Sequence, residues 1–231
     1  MEYRVENKYL VTDADLAVLA GRLNCIMQPD KNQTGDGYEV RSLYFDDCWD
    51  SCMEDNESGI DQRKKYRIRT YGAEAKVIHL EIKEKIRGLT KKTACDLTRQ
   101  EQNQILEGPV SLEFDDRKPL NQLKLQMRTC LMQPKAIISY DRFAYVCPSG
   151  NVRITFDRNI MASPYVDALF EEHITGMVPV LPAGMHVLEV KYDEFLPDYI
   201  AEVLELGNLR QTAFSKYYLG RLAIQGDLLP E

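Results

Sequence analysis

The chain has 231 residues and a hydrophobic fraction of 44%, which suits one large domain or two closely packed lobes around a sizeable core. Its 29 basic and 36 acidic side chains give a formal net charge of -7, which argues against a bulk polyanion binder of the histone type. Six cysteines and no apolar leader after Met1 predict reduced thiols in a cytoplasmic protein, and the lack of an apolar run of about 18 residues predicts no membrane-spanning helix.

Hydrophobic periodicity and capping residues predict strands and helices in alternation. In chain order these are a strand at 2–11, a helix after the capping box of Thr12 and Asp15, strands at 38–46, 63–71, 77–86 and 91–97, a helix from Thr98 to Gly108, a helix at 119–131, strands at 136–146, 151–157 and 186–192, a helix at 197–207 and a last helix from about 215. Eight strands with mostly short connections favour an antiparallel sheet closed into a barrel or tunnel. No shift of composition marks a linker, so we expect one α+β domain over residues 1–231, an eight-stranded antiparallel β-barrel with flanking helices.

The charge is unevenly distributed along the chain. Residues 63–92 hold eleven Lys or Arg against three Glu, so this segment carries +8 and the rest of the chain carries -15. Because the side chains of a strand alternate between its two faces, Arg67 and Arg69 share one face, and Glu81 and Lys83 share one face of the next strand. Two neighbouring strands would then line one surface with cations. The same alternation also suits the solvated outer face of a sheet.

Charged residues share a strand face at several other places. These pairs are Glu6 with Lys8, Arg153 with Asp157, and Glu189 with Lys191. Arg142 lies on a strand that is apolar on both faces, so this cation needs a partner, and a polar cavity that holds an anion would supply one. Many inward cations suit a phosphate ligand held by guanidinium forks, and the few carboxylates suit a divalent metal. Phosphoryl transfer needs mainly these components.

Short motifs, in the same order along nearly the whole chain, carry a family resemblance. They are Glu6-x-Lys8-Tyr9, Arg41-Ser42-Leu43-Tyr44-Phe45-Asp46, Arg67-Ile68-Arg69-x-Tyr71-Gly72, Glu81-x-Lys83, Tyr140-x-Arg142, Arg153-Ile154-Thr155-x-Asp157, Leu188-Glu189-Val190-Lys191 and Ser215-Lys216-Tyr217. In these motifs the chain resembles the VTC domain, the polyphosphate polymerase branch of the triphosphate tunnel metalloenzymes, which also include the CYTH proteins. The resemblance implies an eight-stranded tunnel in which the γ-phosphate of ATP is transferred to a growing polyphosphate chain.

The resemblance also implies roles for individual residues. The residues that would hold the triphosphate and act in catalysis are Arg67, Arg69, Lys83, Arg142 and Arg153, together with Glu189. The residues that would contact phosphates or the product chain are Lys8, Lys91, Lys191, Ser215 and Lys216. The cofactor would be Mn²⁺ or Mg²⁺. Its site would depend on Glu189 with help from Glu6 or Glu81, and the order of these two stays open.

One position departs from the pattern of the hydrolytic members of that superfamily. They open with Glu-x-Glu-x-Lys, whereas Arg4 stands first in this chain. The missing carboxylate weakens the case for activating water and favours transfer to a phosphate acceptor. Three functions stay open: a polyphosphate polymerase, a hydrolase of inorganic triphosphate or nucleoside triphosphates on the same tunnel, and a non-catalytic polyphosphate-binding protein. The expected partners are ATP and polyphosphate, and nucleic acid is not expected because the exterior is acidic.

Two other patterns carry less weight. Cys48-x-x-x-Cys52, beside several aspartates, would be at most half of a metal site, because a structural zinc site needs four ligands at recognisable spacing. The sequence has no glycine-rich phosphate loop, so any nucleotide would be held by side-chain cations. The three histidines show no catalytic or metal-binding spacing.

Overall fold

A computed structural model describes residues 3–108, 110–111, 113–207 and 209–227. The chain folds into two compact units. Unit 1 comprises Met1–Glu39, Tyr140–Ile160 and Leu181–Phe214, and unit 2 comprises Val40–Ser139, Met161–Val180 and Ser215–Glu231. The single domain expected over residues 1–231 stays a prediction.

The described residues form an antiparallel sheet of ten strands. The strands are β1 (Val5–Thr12), β2 (Gln28–Pro29), β3 (Tyr38–Asp46), β4 (Arg63–Thr70), β5 (Ile78–Ile86), β6 (Leu89–Leu97), β7 (Gln133–Cys147), β8 (Val152–Ser163), β9 (Val178–Pro179) and β10 (Met185–Tyr192). Their hydrogen-bonded order is β1-β10-β8-β7-β3-β4-β5-β6, with the two-residue strands β2 beside β7 and β9 beside β8. All eight predicted strands are therefore confirmed, and the α+β fold class with them.

Six α-helices accompany the sheet in the described part of the chain. They are α1 (Asp13–Leu23), α2 (Ser51–Glu57), α3 (Arg99–Glu107), α4 (Lys118–Thr129), α5 (Asp198–Leu204) and α6 (Lys216–Gln225). The capping boxes predicted at Thr12 and Thr98 are present, with each threonine hydroxyl and the carboxylate three residues later satisfying backbone N–H groups of the first turn. Ser215 caps α6 in a similar way through the N–H of Tyr218.

Three expectations about the elements need correction. Helix α2 was not predicted, because seven residues are too few to show a helical period. Helix α4 ends at Thr129, ahead of the left-handed Leu131 and two residues before its predicted end. Strand β8 continues to Ser163, six residues past its predicted end at residue 157.

The expected closure of the barrel is not seen in the strand pairing of the described residues. Strands β1 and β6 are the two ends of the hydrogen-bonded order. The edge of β1 is instead taken by a later segment of unit 1, where Tyr9 bridges Gln211 and the N–H of Thr212 donates to the Lys8 carbonyl at 2.8 Å. Because this segment satisfies the edge groups of β1, the strand needs no second strand partner there.

Each unit has a hydrophobic core on one face of its strands. In unit 2, Tyr66 and Ile68 of β4 belong to one buried cluster with Leu80 of β5 and with Leu120 and Leu123 of α4. The odd-numbered residues of β4 and β5 therefore point to the opposite face, as the alternation predicted. This places Lys65, Arg67 and Arg69 of β4 together with Glu81 and Lys83 of β5.

The core of unit 1 is built in the same way. Ile154 of β8 and Leu188 and Val190 of β10 belong to a second buried cluster with Leu16 and Leu19 of α1. The opposite face of β8 and β10 thus receives the charged residues between these apolar positions. Core packing on one side of each strand consequently determines which residues can form a polar site on the other.

A loop in unit 1 packs directly on the backbone of β7. Asp30 donates its N–H to the Ala144 carbonyl at 2.8 Å, and the Ala144 N–H donates to Gln33 Oε1 at 2.8 Å. Gly37 has φ +118°, and a Cβ added there would lie 2.3 Å from the carbonyl oxygen of Arg142. Only glycine permits this close approach.

We expect Gly37→Ala to reduce the free energy of unfolding by more than about 2 kcal/mol, because backbone strain and a clash with a backbone atom add together. Gly35→Ala is the matched control, since Gly35 also has a positive φ but no atom within 4 Å of an added Cβ, and its loss should be limited to about 1 kcal/mol. Urea unfolding of the three proteins measures both values. Equal losses in the two variants would contradict the assigned packing.

Candidate functional site

On the polar face of β4, β5 and β6 in unit 2, where Arg63 and Lys85 also lie nearer the β5–β6 turn, five cations stand around one carboxylate. This set, called the basic face, consists of Lys65, Arg67, Arg69, Lys83 and Lys92 around the carboxylate of Glu81. The strand register pairs Arg67 with Glu81, pairs Lys65 with Lys83, and pairs Lys83 with Lys92. Three lysines therefore stand side by side on three neighbouring strands. Like charges directly opposite one another destabilise a sheet, so this row favours a bound anion.

Glu81 is the buried centre of the basic face. Arg67 Nε and Nη2 contact Glu81 Oε2 at 2.7 and 2.6 Å, and Arg69 Nη1 lies 3.5 Å from the same oxygen. Lys92 Nζ donates to Glu81 Oε1 at 2.9 Å. Burial opposes ionisation of this carboxyl, but the charges of Arg67, Arg69 and Lys92 outweigh it and hold the pKa of Glu81 well below its usual range. Both carboxylate oxygens are thus engaged with cations.

Neutral side chains orient two of these cations. Arg67 Nη1 donates to the Tyr44 hydroxyl at 2.9 Å, and the Tyr44 ring stacks on Tyr217 with 5.2 Å between ring centroids. Lys65 Nζ donates to Ser215 Oγ at 2.6 Å and to Asn56 Oδ1 at 2.9 Å. Since these partners carry no charge, they fix the cations without cancelling the positive charge of the basic face.

A buried polar network holds α2 and α6 in unit 2. Asp46 accepts the N–H groups of Cys52 and Met53 at 2.8 and 3.2 Å, and it accepts the Tyr217 hydroxyl at 2.7 Å. Burial and the neighbouring Asp46 carboxylate both raise the pKa of Tyr217 and that of the Cys52 thiol. The aspartates around Cys48 and Cys52 therefore serve the start of a helix. A thiol with a raised pKa is a poor metal ligand, which agrees with setting the zinc interpretation aside.

The polar face of unit 1 has a different balance of charge. This set, called the paired face, has as cations Lys8, Arg142, Arg153 and Lys191, and as carboxylates Glu6, Asp30, Asp157 and Glu189. Four cations meet four carboxylates, so the formal charge of the paired face is zero. The basic face of unit 2 has five cations and one carboxylate, and the two faces are consequently suited to different ligands.

Arg142 is paired with carboxylates of the paired face through two of its three nitrogen atoms. Its Nε and Nη2 donate to Asp157 Oδ1 and Oδ2, each at 2.7 Å, and Nη2 lies 3.5 Å from Glu189 Oε2. Burial alone would lower the pKa of Arg142, but the Asp157 carboxylate outweighs it and holds that pKa well above its usual value. The partner that the buried Arg142 requires is thus a carboxylate of the protein. Arg153 is similarly held, by Asp30 and by the Tyr38 hydroxyl.

Two carboxylates of the paired face approach the same ammonium group. Lys191 Nζ lies 3.0 Å from Glu189 Oε2 and 3.4 Å from Glu6 Oε1, and Lys8 Nζ lies 3.8 Å from Glu189 Oε1. Lys8 Nζ also donates to the Phe214 carbonyl at 2.8 Å. A cation between two carboxylates marks a place where positive charge is stabilised.

The donor set of Glu6 and Glu189 fits a hard divalent cation that takes its other ligands from phosphates and water, since Mg²⁺ commonly uses only one or two carboxylates of the protein. Within the described residues there is no cluster of three or more His, Cys, Asp or Glu side chains able to hold a metal. Glu81 stays a predicted ligand, but its oxygens contact cations at 2.6 to 2.9 Å, closer than the contacts of 3.0 to 3.8 Å that Glu189 makes with Lys191, Arg142 and Lys8. Mn²⁺ and Mg²⁺ both suit oxygen donors of this kind.

The structure locates the predicted site residues in two sets. Those on the basic face are Arg67, Arg69, Lys83 and Glu81, and those on the paired face are Lys8, Glu6, Arg142, Arg153, Glu189 and Lys191. Ser215 contacts Lys65 beside the basic face, and Lys216 is buried in the first turn of α6. Lys91 pairs with Glu84, on the opposite face of the sheet from the Lys83–Lys92 pair. Residues that the sequence analysis did not single out are Lys65, Lys92, Tyr44, Asp30 and Tyr38.

The position of Lys92 follows from a tight turn. Strands β5 and β6 are joined by two residues, Arg87 and Gly88, which both have positive φ, as in a type I′ hairpin. The carboxylate of Asp61 accepts both of their N–H groups. A two-residue turn fixes the register, so Lys83 must face Lys92. The pair Arg87-Gly88 was the sequence signal that could have distinguished Lys92 from Lys91.

Comparison with known proteins identifies the family. The VTC domain profile matches residues 3–224. The chain belongs to the VTC domain family. This membership confirms the resemblance carried by the short motifs, and the order of those motifs is accounted for by the strands on which they lie. A search of curated protein sequences finds none that matches the chain.

One solved structure shares the fold of this VTC domain at low sequence identity, and others are similar to it at lower scores. A candidate adenylyl cyclase from Hippeastrum, described as having a dominant triphosphatase activity, is 14% identical, with 100% of this chain and 98% of that chain covered and a TM-score of 0.56. Candidate adenylate cyclases from Bacillus halodurans and Vibrio parahaemolyticus are 16% and 11% identical, with TM-scores of 0.49 and 0.47. The alignments cover 88% and 87% of this VTC domain and 87% and 82% of those chains.

In the part of the chain that the structure describes, no helix combines the length and apolar character needed to cross a membrane.

We expect Asp157→Asn to lower the free energy of unfolding by about 3–5 kcal/mol, because it leaves the buried guanidinium of Arg142 without its bidentate partner. The matched control is Asp193→Asn, which removes a half-buried carboxylate that contacts the partly exposed Arg4 at 2.7 Å and should cause a much smaller loss. Chemical denaturation checks both variants. A loss for Asp157→Asn no larger than that for the control would contradict the assignment of Arg142 to an internal partner.

Proposed function

We propose that this VTC domain is a polyphosphate polymerase that transfers the γ-phosphate of ATP to a growing polyphosphate chain. The observation that carries the proposal is the basic face, on which five cations of three adjacent strands surround one carboxylate. Phosphate oxygens suit a face on which cations outnumber carboxylates, and guanidinium groups such as those of Arg67 and Arg69 bind two such oxygens at once. The acidic remainder of the chain discourages nucleic acid as the partner.

The proposal assigns different tasks to the two polar faces. In this proposal Arg67, Arg69 and Lys83 hold phosphates of ATP or of the chain, and Glu189 with Glu6 would hold Mn²⁺ or Mg²⁺, which would supply charge neutralisation. Because Asp157 already neutralises Arg142, we assign Arg142 the task of positioning Glu189, which its Nη2 approaches at 3.5 Å. Lys8, Arg153 and Lys191 are phosphate contacts in the same proposal, and so are Lys91, Ser215 and Lys216.

Arg4 supports transfer over hydrolysis. Its Nε lies 2.7 Å from Asp193 Oδ1, and its Nη2 donates to the Asn151 carbonyl, so a cation is fixed at the start of β1. A cation at this position cannot ligate a metal or activate water. A phosphate acceptor already carries a nucleophilic oxygen and needs only neutralisation and alignment.

A triphosphatase is the second candidate. The observation that favours it is the fold shared with the Hippeastrum protein, for which a dominant triphosphatase activity is described. A hydrolase would use the same basic face for triphosphate, with water as the acceptor.

We also propose a cytoplasmic location, because all six cysteines are free thiols.

We expect the purified protein, incubated with ATP and Mn²⁺, to produce ADP together with a phosphate polymer that is resolved by gel electrophoresis. Phosphate release without polymer would favour the triphosphatase. If neither ADP nor polymer forms, the result favours a non-catalytic protein that binds polyphosphate. A parallel reaction with chelator in excess of the metal should produce no polymer.

We expect Glu189→Gln to abolish turnover in this assay, because it removes the main proposed metal ligand while the basic face is unchanged. Binding of tripolyphosphate without metal should be retained, which a calorimetric titration would measure. Turnover at the wild-type rate in Glu189→Gln would contradict the metal assignment.

We expect Arg67→Ala to weaken binding of tripolyphosphate by about 2–5 kcal/mol, because a desolvated phosphate would lose its bidentate partner. Lys64→Ala is the matched control, since Lys64 precedes the same stretch of β4 but lies on the opposite face, where it contacts Glu84 at 3.4 Å. It should change the affinity little. Equal effects of the two substitutions would place the anion elsewhere.

A further inference from the structure

The proposed function leaves open why a buried carboxylate stands among the cations that are to bind phosphate. Glu81 is 2% exposed, whereas Lys92, which contacts it, has a side chain that is 54% exposed. Glu81 is thus the inner member of the basic face, and solvent reaches the face from the side of Lys92.

The contacts of Glu81 are those that a phosphate group would make. One oxygen accepts the fork of Arg67 at 2.7 and 2.6 Å with Arg69 at 3.5 Å, and the other accepts Lys92 at 2.9 Å. Guanidinium forks bind carboxylate and phosphate with the same geometry, so these cations can exchange one for the other without moving far.

We propose that Glu81 is an internal counter-anion, which engages Arg67, Arg69 and Lys92 while the basic face is empty and releases them to a phosphate group of the substrate or product chain. This inference rests on the proposal that the basic face binds phosphates. It gives Glu81 a role that differs from the metal ligation implied by the family resemblance.

Two consequences follow from such an exchange. Without a carboxylate, the buried Arg69 and the lysine row would repel one another in the empty protein, so Glu81 keeps the empty face folded. With the carboxylate present, every phosphate must displace Glu81, so the affinity of each phosphate is reduced. A polymer that has to move through the site, or a product that has to leave, benefits from this reduced affinity.

The test is a calorimetric titration with tripolyphosphate, in chelator and without ATP, of the wild type, Glu81→Gln and Glu84→Gln. Glutamine keeps the shape of Glu81 and removes its charge, so we expect Kd for Glu81→Gln to fall at least about tenfold. Glu84 lies on the same strand and the opposite face, and the control variant should match the wild type. An unchanged or higher Kd for Glu81→Gln overturns the proposal.

Thermal unfolding distinguishes a folding defect in Glu81→Gln from a change in its affinity for tripolyphosphate. We expect its Tm to be lower than that of the wild type in buffer without polyvalent anions, and tripolyphosphate should raise it by more than it raises the wild-type Tm. Glu81→Asp keeps the negative charge, so its Kd should remain closer to that of the wild type. A smaller rise of Tm for Glu81→Gln than for the wild type overturns the proposal.

A separate titration with Mn²⁺ in the absence of phosphate tests the competing role of Glu81 as a metal ligand. Electron paramagnetic resonance monitors the binding. Equal Mn²⁺ binding by the wild type and Glu81→Gln supports the counter-anion, and loss of Mn²⁺ binding overturns it in favour of metal ligation. If the basic face does not bind phosphates at all, neither the wild type nor Glu81→Gln will bind tripolyphosphate, and this result differs from an unchanged Kd. Absence of polymer synthesis alone leaves the expected difference in Kd unaffected.

Discussion

Charges on neighbouring antiparallel strands interact at close range, and the polar faces of both units depend on how their counter-charges are supplied. In unit 2 one carboxylate of β5, Glu81, contacts cations of the two neighbouring strands, β4 and β6. In unit 1 every cation of the paired face has a carboxylate partner, with Arg142 on Asp157 as the most buried pair. The same structural principle, a row of charges behind an apolar core, thus yields a face with excess positive charge and a face with none.

The difference between the faces gives a physical reason for dividing the chemistry between them. An excess of fixed cations stabilises a polyanion directly, whereas a neutral set of paired charges offers it little net attraction. Carboxylates that already hold an ammonium group, as Glu6 and Glu189 hold Lys191, are arranged for positive charge. Charge balance therefore favours the basic face as the main proposed phosphate site and Glu6 with Glu189 as the proposed metal ligands, while Lys8, Arg153 and Lys191 are proposed as secondary phosphate contacts.

Much of this arrangement could be predicted from the sequence. A period of two in the strands requires Arg67 and Arg69 to share a face once Tyr66 and Ile68 are buried, and burial of those two is set by their hydrophobicity. Capping boxes at Thr12 and Thr98 predicted two helix starts, because a cap is a local interaction. The order of the motifs predicted the family and the fold class, since most of the motifs lie on one strand each and the last lies at the start of α6.

Other features depended on information that local patterns lack. Lys91 and Lys92 are adjacent, and only the register set by the two-residue turn at Arg87 and Gly88 decides which of them faces Lys83. Asp30 lies in a loop more than a hundred residues from Arg153, so its pairing depends on tertiary structure. Closure of the barrel was expected because exposed strand edges are costly, but the segment at Gln211 and Thr212 satisfies the edge of β1 by another route.

The ion pairs of the carboxylates on the paired face also bear on whether the proposed enzyme transfers phosphate to a phosphate acceptor or to water. Hydrolysis needs a group that activates water, and a carboxylate held by a guanidinium is a weak base because its charged form is stabilised. On the paired face, Asp157 is held by Arg142, Asp30 by Arg153, and the two glutamates by Lys191. A phosphate acceptor arrives already ionised and requires no base. The pairing of charges in unit 1 thus favours transfer to a phosphate over transfer to water.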